Sequence, residues 1–478
     1  MAISYAEARA LLEAHGQSQV LRFWPTLPAA QQQELLAQIA SLDFESVSRM
    51  RRLLAARHDA AGAGEIRPAD VLSLSGRERD RAGRAGKRAL RAGEVGVILV
   101  AGGQGTRLGF GGPKGLFPIG PITGRSLFEI QAKKILARER RFGAPLPLYV
   151  MTSESNDGPT RDFFAANGSF GLSPERVRFF SQGMWPALSA EGRIILDRPD
   201  HIFLGPDGHG GVLAALRNRG MLADMDRRGL RTLFYLQVDN PLVDVADPVF
   251  IGAHLLHDAD LSLKVCAKRD PEEKLGVYVL RNGRPAVVEY TELSHRQKYA
   301  GAPDGRLRFR FGSVAIHVFA LPFLRKEAEA ELPLHIAHKK VPFCDDRGRP
   351  VRPDQPNAYK FERFVFDALS DAERVVALEF ERREEFSPVK NASGEDSPET
   401  VRRDLTEKFA SWLETCGAVV PRDAAGRSRH RIEIAPCFAL SRDELGAKIG
   451  KGFRVTSDLL LGDQPASGAA TTRKPIVS

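Results

Sequence analysis

The apolar run Val97-Ile98-Leu99-Val100 passes directly into Ala-Gly-Gly-Gln-Gly-Thr-Arg-Leu-Gly, and residues 102–112 hold six glycines. An apolar run that stops at glycine reads as a buried strand ending in a loop. In an α/β fold such a loop lies at the carboxyl edge of the sheet, where ligands bind, and glycines there leave backbone N–H groups unobstructed by Cβ atoms. Successive N–H groups in a glycine-rich turn form a cradle for an anion. Arg107 and Lys114, seven residues apart, add two full positive charges. The spacing fits neither of two familiar phosphate loops. Gly103-x-Gly105-x-x-x-Gly109 misses G-x-G-x-x-G by one residue, and G-x-x-x-x-G-K-[ST] occurs nowhere in the chain.

The same texture continues from residue 93 to 396. Short runs rich in Val, Leu, Phe and Tyr (VGVILVAGG, PLYVMTSE, VRFFSQG, RTLFYLQVDNP, ADLSLKVCAKR) alternate with helical segments such as SLFEIQAKKILARERR. That alternation predicts an α/β core, a mostly parallel mixed sheet sandwiched by helices. GVYVLRNGRPAVVEY carries Asn-Gly between two alternating runs and predicts an antiparallel hairpin. Residues 1–92 repeat apolar positions at three and four, which predicts a helical N-terminal region. Residues 397–478 predict a small C-terminal α+β accessory domain, opening on the helix ETVRRDLTEKFASWLETCG and ending in a frayed tail, GDQPASGAATTRKPIVS.

Charge and cysteine usage narrow the function classes. The net charge is +9 at pH 7, part of it from RMRRLLAARHD and GRERDRAGRAGKRALRAG, whose arginines alternate with acids, Leu and Ala at helical spacing. This suits a solvated helix face better than a nucleic-acid patch, while a basic protein suits a polyanionic small substrate. No run approaches 18 apolar residues and MAISYAEARALLEAHG lacks the apolar centre of a signal peptide, so no membrane association and a cytoplasmic location are expected. Cys266, Cys344, Cys416 and Cys437 lie far apart, which argues against a zinc site or a disulfide framework and for buried thiols.

Gly-Gly-Gln-Gly-Thr-Arg-Leu-Gly followed by Pro-Lys-Gly resembles the signature loop of nucleotide-sugar pyrophosphorylases. MTSE, GPDGHGG, VDNPLVDVADPVFIG, VVEYTEL, KKVPF, KFERFVFDAL and EEFSPVKNASGEDSP then come in the order of UDP-N-acetylglucosamine pyrophosphorylases, from about Val97 to Pro398. The resemblance implies a Rossmann-like, GT-A type nucleotidyltransferase that joins UTP to a sugar 1-phosphate and releases pyrophosphate. In such chemistry the sugar phosphate attacks the α-phosphorus in line, and cations hold a highly charged transition state without any nucleophilic side chain.

The resemblance also implies roles for single residues. Gly102 and Gly103, with Gly105 and Thr106, hold the uridine end of UTP; Arg107 and Lys114 grip the triphosphate; Gln182 and Gly208 contact the uracil; and Lys390 reaches the phosphates from another segment. Asp239 ends the run LFYLQV, and a carboxylate at a strand terminus suits Mg²⁺ (or Mn²⁺), which takes one or two carboxylates plus substrate phosphates and water. Asp244 and Asp247 read as turn and capping residues. Glu289 and Tyr290 are the expected hexose contacts.

His209 and Ser313 stand where the resembled family carries sugar-facing asparagines, and Gly-His-Gly is similar to the turn of UDP-glucose and broad-range UDP-sugar pyrophosphorylases. A pocket built to hydrogen-bond a group rejects an analogue lacking it by roughly 10⁴-fold, against about 10² for one that merely has room. Losing two amides from the sugar-facing wall points toward UTP–glucose or galactose 1-phosphate uridylyl transfer as the alternative, but the breadth of the resemblance makes UDP-N-acetylglucosamine the expected product, with a UDP-sugar-sensing regulatory binder as the non-enzymatic reading. The oligomeric state stays open.

Overall fold

Five of the six residues in Val95–Val100 and all five in Leu148–Thr152 are buried, because helices cover both faces of the sheet they belong to. The computed structural model describes residues 3–58, 64–450 and 452–462; the expected frayed tail lies, but for its first residue, Gly462, outside the described residues. Two units emerge. The larger comprises Glu65–Ser181, Leu216–Glu329 and Ala368–Ser478, and the smaller Met1–Gly64, Gln182–Ala215 and Ala330–Asp367.

The larger unit is built on a mixed sheet of ten strands: β1 (Ile66–Pro68), β2 (Val95–Val100), β3 (Leu148–Thr152), β4 (Val177–Ser181), β5 (Thr232–Gln237), β6 (Leu261–Ala267), β7 (Val277–Arg281), β8 (Arg284–Val288), β9 (Phe311–Ala320) and β10 (Val375–Glu379). The order is β1-β7-β9-β5-β2-β3-β4, with β8 beside β7 and β6 joining β9 to β10. Strands β5, β2, β3 and β4 form a parallel block, and β9 runs antiparallel to both β5 and β6. In the β2–β5 register Val100 stands opposite Gln237. The glycine-rich loop after β2 and Asp239, two residues past β5, therefore leave the same sheet edge side by side.

The expected hairpin is β7–β8. Asn282 and Gly283 join it with φ of 53° and 79°, the positive pair that a type I′ turn requires. Four helices of this unit bear on the site: α1 (Gly76–Arg91), α2 (Leu127–Phe142), α3 (Pro248–Leu256) and α4 (Pro398–Thr415). Helix α1 turns its arginines outward, while Ala82, Gly83, Ala85, Gly86 and Ala89 are buried. Those small residues let its backbone lie on that of α3. A Cβ at Gly86 would stand 1.9 Å from the Pro248 carbonyl oxygen, and one at Gly252 1.7 Å from that of Ala82.

Helix α4 opens on a Ser397 cap with Pro398 in its first turn and packs on a parallel pair, β11 (Ile432–Ile434) and β12 (Leu459–Leu461), through Trp412, Leu413, Ile432 and Leu459. In the smaller unit, helices at Tyr5–Ala14, Ala29–Ser41 and Phe44–Ala55 bury Leu12, Leu35, Ile39 and Met50 against Leu188, Ile202 and Phe361 of its two later segments. Among the described residues no disulfide joins the cysteines; Cys266 and Cys344 are buried, but Cys416 and Cys437 only half so, and burial pushes the Cys266 thiol up to about 12. No described helix is long and apolar enough to cross a membrane.

The α1–α3 crossing has no room for a methyl group, so Gly252→Ala must push two backbones apart. Overpacking of this kind costs about 1–3 kcal/mol, and urea denaturation of the variant should show that loss, whereas Gly109→Ala, with open space around its Cβ position, should lose only what its left-handed φ of 68° demands.

Candidate active site

Beyond Val100 the chain folds back on itself. The Gly105 N–H donates to the Gly112 carbonyl (2.9 Å) and the Lys114 N–H to that of Gly103 (3.1 Å). Gly105 is required by packing, since a Cβ there would lie 2.8 Å from the Phe110 ring, but at Gly103 a Cβ would meet only open space. Packing within the fold therefore does not require a glycine at Gly103. Asn156 holds the loop from below, its Nδ2 donating to the Ala101 carbonyl at 2.9 Å. Thr106 and Arg107 are exposed on the loop, and Gly102 is buried at its base.

Lys114 reaches down to Asp239. Its Nζ donates to Oδ2 at 2.9 Å, with both side chains largely buried. Burial works to raise the Asp239 pKa, but the charges of Lys114 and Lys390, with the Lys114 hydrogen bond, outweigh it and hold the carboxyl below its ordinary value. The structure thus brings the glycine-rich loop, the end of β5 and Lys390 together around one carboxylate. Their separation is fixed by main-chain and side-chain ties. The Val389 N–H donates to the Asp239 carbonyl (2.9 Å), and Asn240 gives Nδ2 to the Glu385 carbonyl (2.7 Å) while its Oδ1 accepts from Ser387 N–H (3.1 Å).

The segment after Asp239 is buried and irregular, so its carbonyls need side-chain donors. One face of α2 supplies them. Gln131 donates to Asn240 O, Lys134 to Pro241 O and Val243 O, and Arg138 to Val245 O; Lys408 of α4 covers Leu242 O. Asp247 caps α3 by accepting from Val249 N–H (2.8 Å), as expected, and Asp244 pairs with Arg138. Asp247 also joins Glu385 around the buried Lys264.

The hexose candidates lie at the other end of the sheet edge. The Ser313 N–H donates to the Gly276 carbonyl (2.9 Å), and a Cβ on Gly276 would stand 3.2 Å from Glu289 Oε1, so Gly276 gathers Glu289 and Ser313. The Ser313 Oγ is buried and has no hydrogen-bond partner among the described residues. Two residues on, Ala315 takes φ of 55°, where β9 bulges against β6. Bulges re-aim side chains, and a strained non-glycine backbone concentrates at functional sites. Tyr290 is half-buried next to Glu289.

The smaller unit holds Gln182, Gly208 and His209. Gln182 is buried. Gly208 has φ of 87°, and a Cβ there would meet the Arg363 carbonyl at 2.5 Å, so only glycine fits. The His209 Nδ1 accepts from Val365 N–H (3.2 Å), and its ring stacks on Phe364. Asp207, which no sequence motif singles out, has a carboxyl pressed against Gly183 and Gly211, and burial pushes it up to about 7 against the pull of Arg363. Asn240 and Gly276 also escape a reading of the sequence; the Asp-Asn-Pro turn is the only local signal for the first.

Among the described residues no cluster of three or more His, Cys, Asp or Glu could hold a metal. Asp239 alone fits Mg²⁺ only in partnership with phosphate oxygens and water.

The chain is similar to known proteins in sequence and in fold. Residues 64–396 match the sequence model of the UTP–glucose-1-phosphate uridylyltransferase family, and the chain belongs to that family. It is 39% identical over 441 residues to the human UDP-N-acetylhexosamine pyrophosphorylase-like protein 1, covering 87% of this chain and 86% of that one. It is 34% identical over 463 residues to the UDP-N-acetylglucosamine pyrophosphorylase of Saccharomyces cerevisiae, covering 92% and 96%. The crystal structure of the Trypanosoma brucei uridine diphosphate N-acetylglucosamine pyrophosphorylase in complex with inhibitor superposes with a TM-score of 0.78 at 28% identity, covering 94% and 95%.

Two measurements probe this arrangement. Asn240→Ala releases the tie between the Asp239 and Lys390 segments, and a displacement of about 1 Å costs on the order of 10² in turnover; steady-state kinetics should show it in kcat. The second concerns Asp207. Its folded pKa lies above the unfolded value, so its contribution to stability is complete below the unfolded pKa of about 3.8 and is lost as pH rises through about 7. Denaturation between pH 5 and 8 should show the wild type losing on the order of 2–3 kcal/mol relative to Asp207→Asn.

Proposed function

We propose that this protein transfers a uridylyl group from UTP to a sugar 1-phosphate, with N-acetylglucosamine 1-phosphate as the favoured acceptor. The observation that carries the reading is the convergence of Lys114 and Lys390 on Asp239 at the edge where the glycine-rich loop begins. A sugar-phosphate oxygen attacks the α-phosphorus of UTP, the bond from that phosphorus to the bridging oxygen breaks, and pyrophosphate leaves. Lys114, Lys390 and Arg107 offer positive charge where negative charge builds up, and the open backbone at Gly103 lets the nucleotide approach. The charges stand ready before substrate arrives, which is what electrostatic catalysis requires.

Asp239 would hold Mg²⁺, which supplies further charge neutralisation on the phosphates when bound. Lys114 would then turn from the carboxylate to the triphosphate. In this reading Gln182 and Gly208 contact the base, and Glu289, Tyr290, Ser313 and His209 the sugar. The acceptor preference is supported by relatives named for UDP-N-acetylglucosamine over most of their length. His209 and Ser313, short of the two amides of the resembled family, favour glucose 1-phosphate as the second acceptor.

Pyrophosphate release from UTP and Mg²⁺ with a panel of hexose 1-phosphates tests the proposal. The expected result is turnover with N-acetylglucosamine 1-phosphate at least tenfold faster in kcat/KM than with glucose 1-phosphate. The reverse order moves the acceptor assignment to glucose, and no UTP consumption with any acceptor overturns the enzyme reading. Lys390→Ala should lower kcat by roughly 10²–10³, the scale of one lost preorganised donor, with an unchanged melting temperature.

A further inference from the structure

Behind the segment after Asp239, the larger unit forms a partly open cavity of about 810 Å³. Its size falls in the range of small-molecule sites. Arg107, Lys114, Asp239 and Lys390 are not among its lining residues, so it is separate from the candidate active site. One wall is apolar and aromatic, formed by Phe380, Leu405, Phe409, Trp412 and Ile434. The rest is strongly charged.

The partners of those charges give the cavity its polarity. Its inner carboxylates are answered: Asp247 by Lys264 and Val249 N–H, Glu385 by Lys264 and Asp244 N–H, Glu384 by Arg442 and Trp412 Nε1, and Glu433 by Thr123 and Ile122 N–H. Lys134 and Lys408 differ. Their hydrogen bonds go to the neutral carbonyls of Pro241, Val243 and Leu242, and Lys408 stands 5.3 Å from the Trp412 ring centroid. Burial lowers the pKa of both; the Lys408 charge and, more weakly, Arg138 lower that of Lys134 further against Asp244 and Glu385, while Glu384, Asp244 and Glu385 oppose the shift of Lys408. A buried ammonium whose hydrogen bonds among the described residues all go to neutral carbonyls gains the attraction of a full opposite charge when an anion comes into contact with it.

We propose that this cavity binds a small amphiphilic anion, its carboxylate, sulfonate or phosphate head against Lys134 and Lys408 and its aromatic or aliphatic body against Phe380, Phe409 and Trp412. The same two lysines hold the carbonyls of residues 241–243. An occupant therefore competes with the loop behind Asp239 for its donors.

The test uses the full chain and 8-anilinonaphthalene-1-sulfonate, followed by calorimetry and by energy transfer from tryptophan. The expected result is one saturable site whose affinity falls at least tenfold in Lys134→Gln and Lys408→Gln and is restored in Lys408→Arg, which keeps the charge should the neutral variants fold poorly. Energy transfer should fall further in Trp412→Phe than in Trp24→Phe or Trp185→Phe. Displacement by 1-naphthoate or by 1-naphthyl phosphate supports the proposal and separates the two head groups. Absence of a saturable site, equal binding to the lysine variants, or equal displacement by 1-naphthylmethylammonium overturns it.

Discussion

A carboxylate flanked by two ammonium groups is the constraint around which the larger unit is arranged. Asp239 would be costly to bury alone, and Lys114 would be costly beside it without a counter-charge; together they form an ion pair in a largely water-excluded place. Such a pair adds little to stability. Its value for the proposed transfer would lie in readiness, because a polyphosphate or a divalent cation entering there would find charges of both signs already desolvated and oriented. The parallel register of β2 with β5 makes the pairing possible, since it brings the two chain exits to one edge.

Around that pair the irregular backbone is satisfied by side chains instead of by secondary structure. Gln131, Lys134 and Arg138 recur at the spacing that puts them on one face of α2, and each donates to a carbonyl of the segment after Asp239. Asn240 then connects this segment to the one that carries Lys390, 145 residues away at its Glu385 contact. A helix face, a strand end and a distant loop so become one connected support for the residues of the candidate site.

Much of this was legible in the sequence. Strands β2, β3 and β5 of the parallel block bury both faces, and so they read as largely apolar runs, while β4 is only half-buried; the hairpin was marked by a dipeptide whose chemistry suits its turn. Lys114 and Lys390 were singled out by a resemblance and Asp239 by its place at a strand end, and the structure sets the three close together, while Arg107 stays exposed on its loop. Other features were hidden for physical reasons. The packing stripe of α1 consists of alanine and glycine among arginines, so charge masked a backbone contact. Asn240 and Gly276 act through partners far away in sequence, and apart from the Asp-Asn-Pro turn no local pattern announces them. The N-terminal helices carried the right periodicity, but nothing in it revealed that their core is completed by residues 182–215 and 330–367.

The solitary hydroxyl of Ser313 has a consequence of its own. A buried hydroxyl with no protein partner among the described residues costs about 1–3 kcal/mol when it stays unmatched. If Ser313 faces the acceptor as proposed, a sugar that offers Oγ a matching group would recover that cost and one that does not would leave it, so that the choice between two sugars would draw on an unmet hydrogen bond of the protein itself.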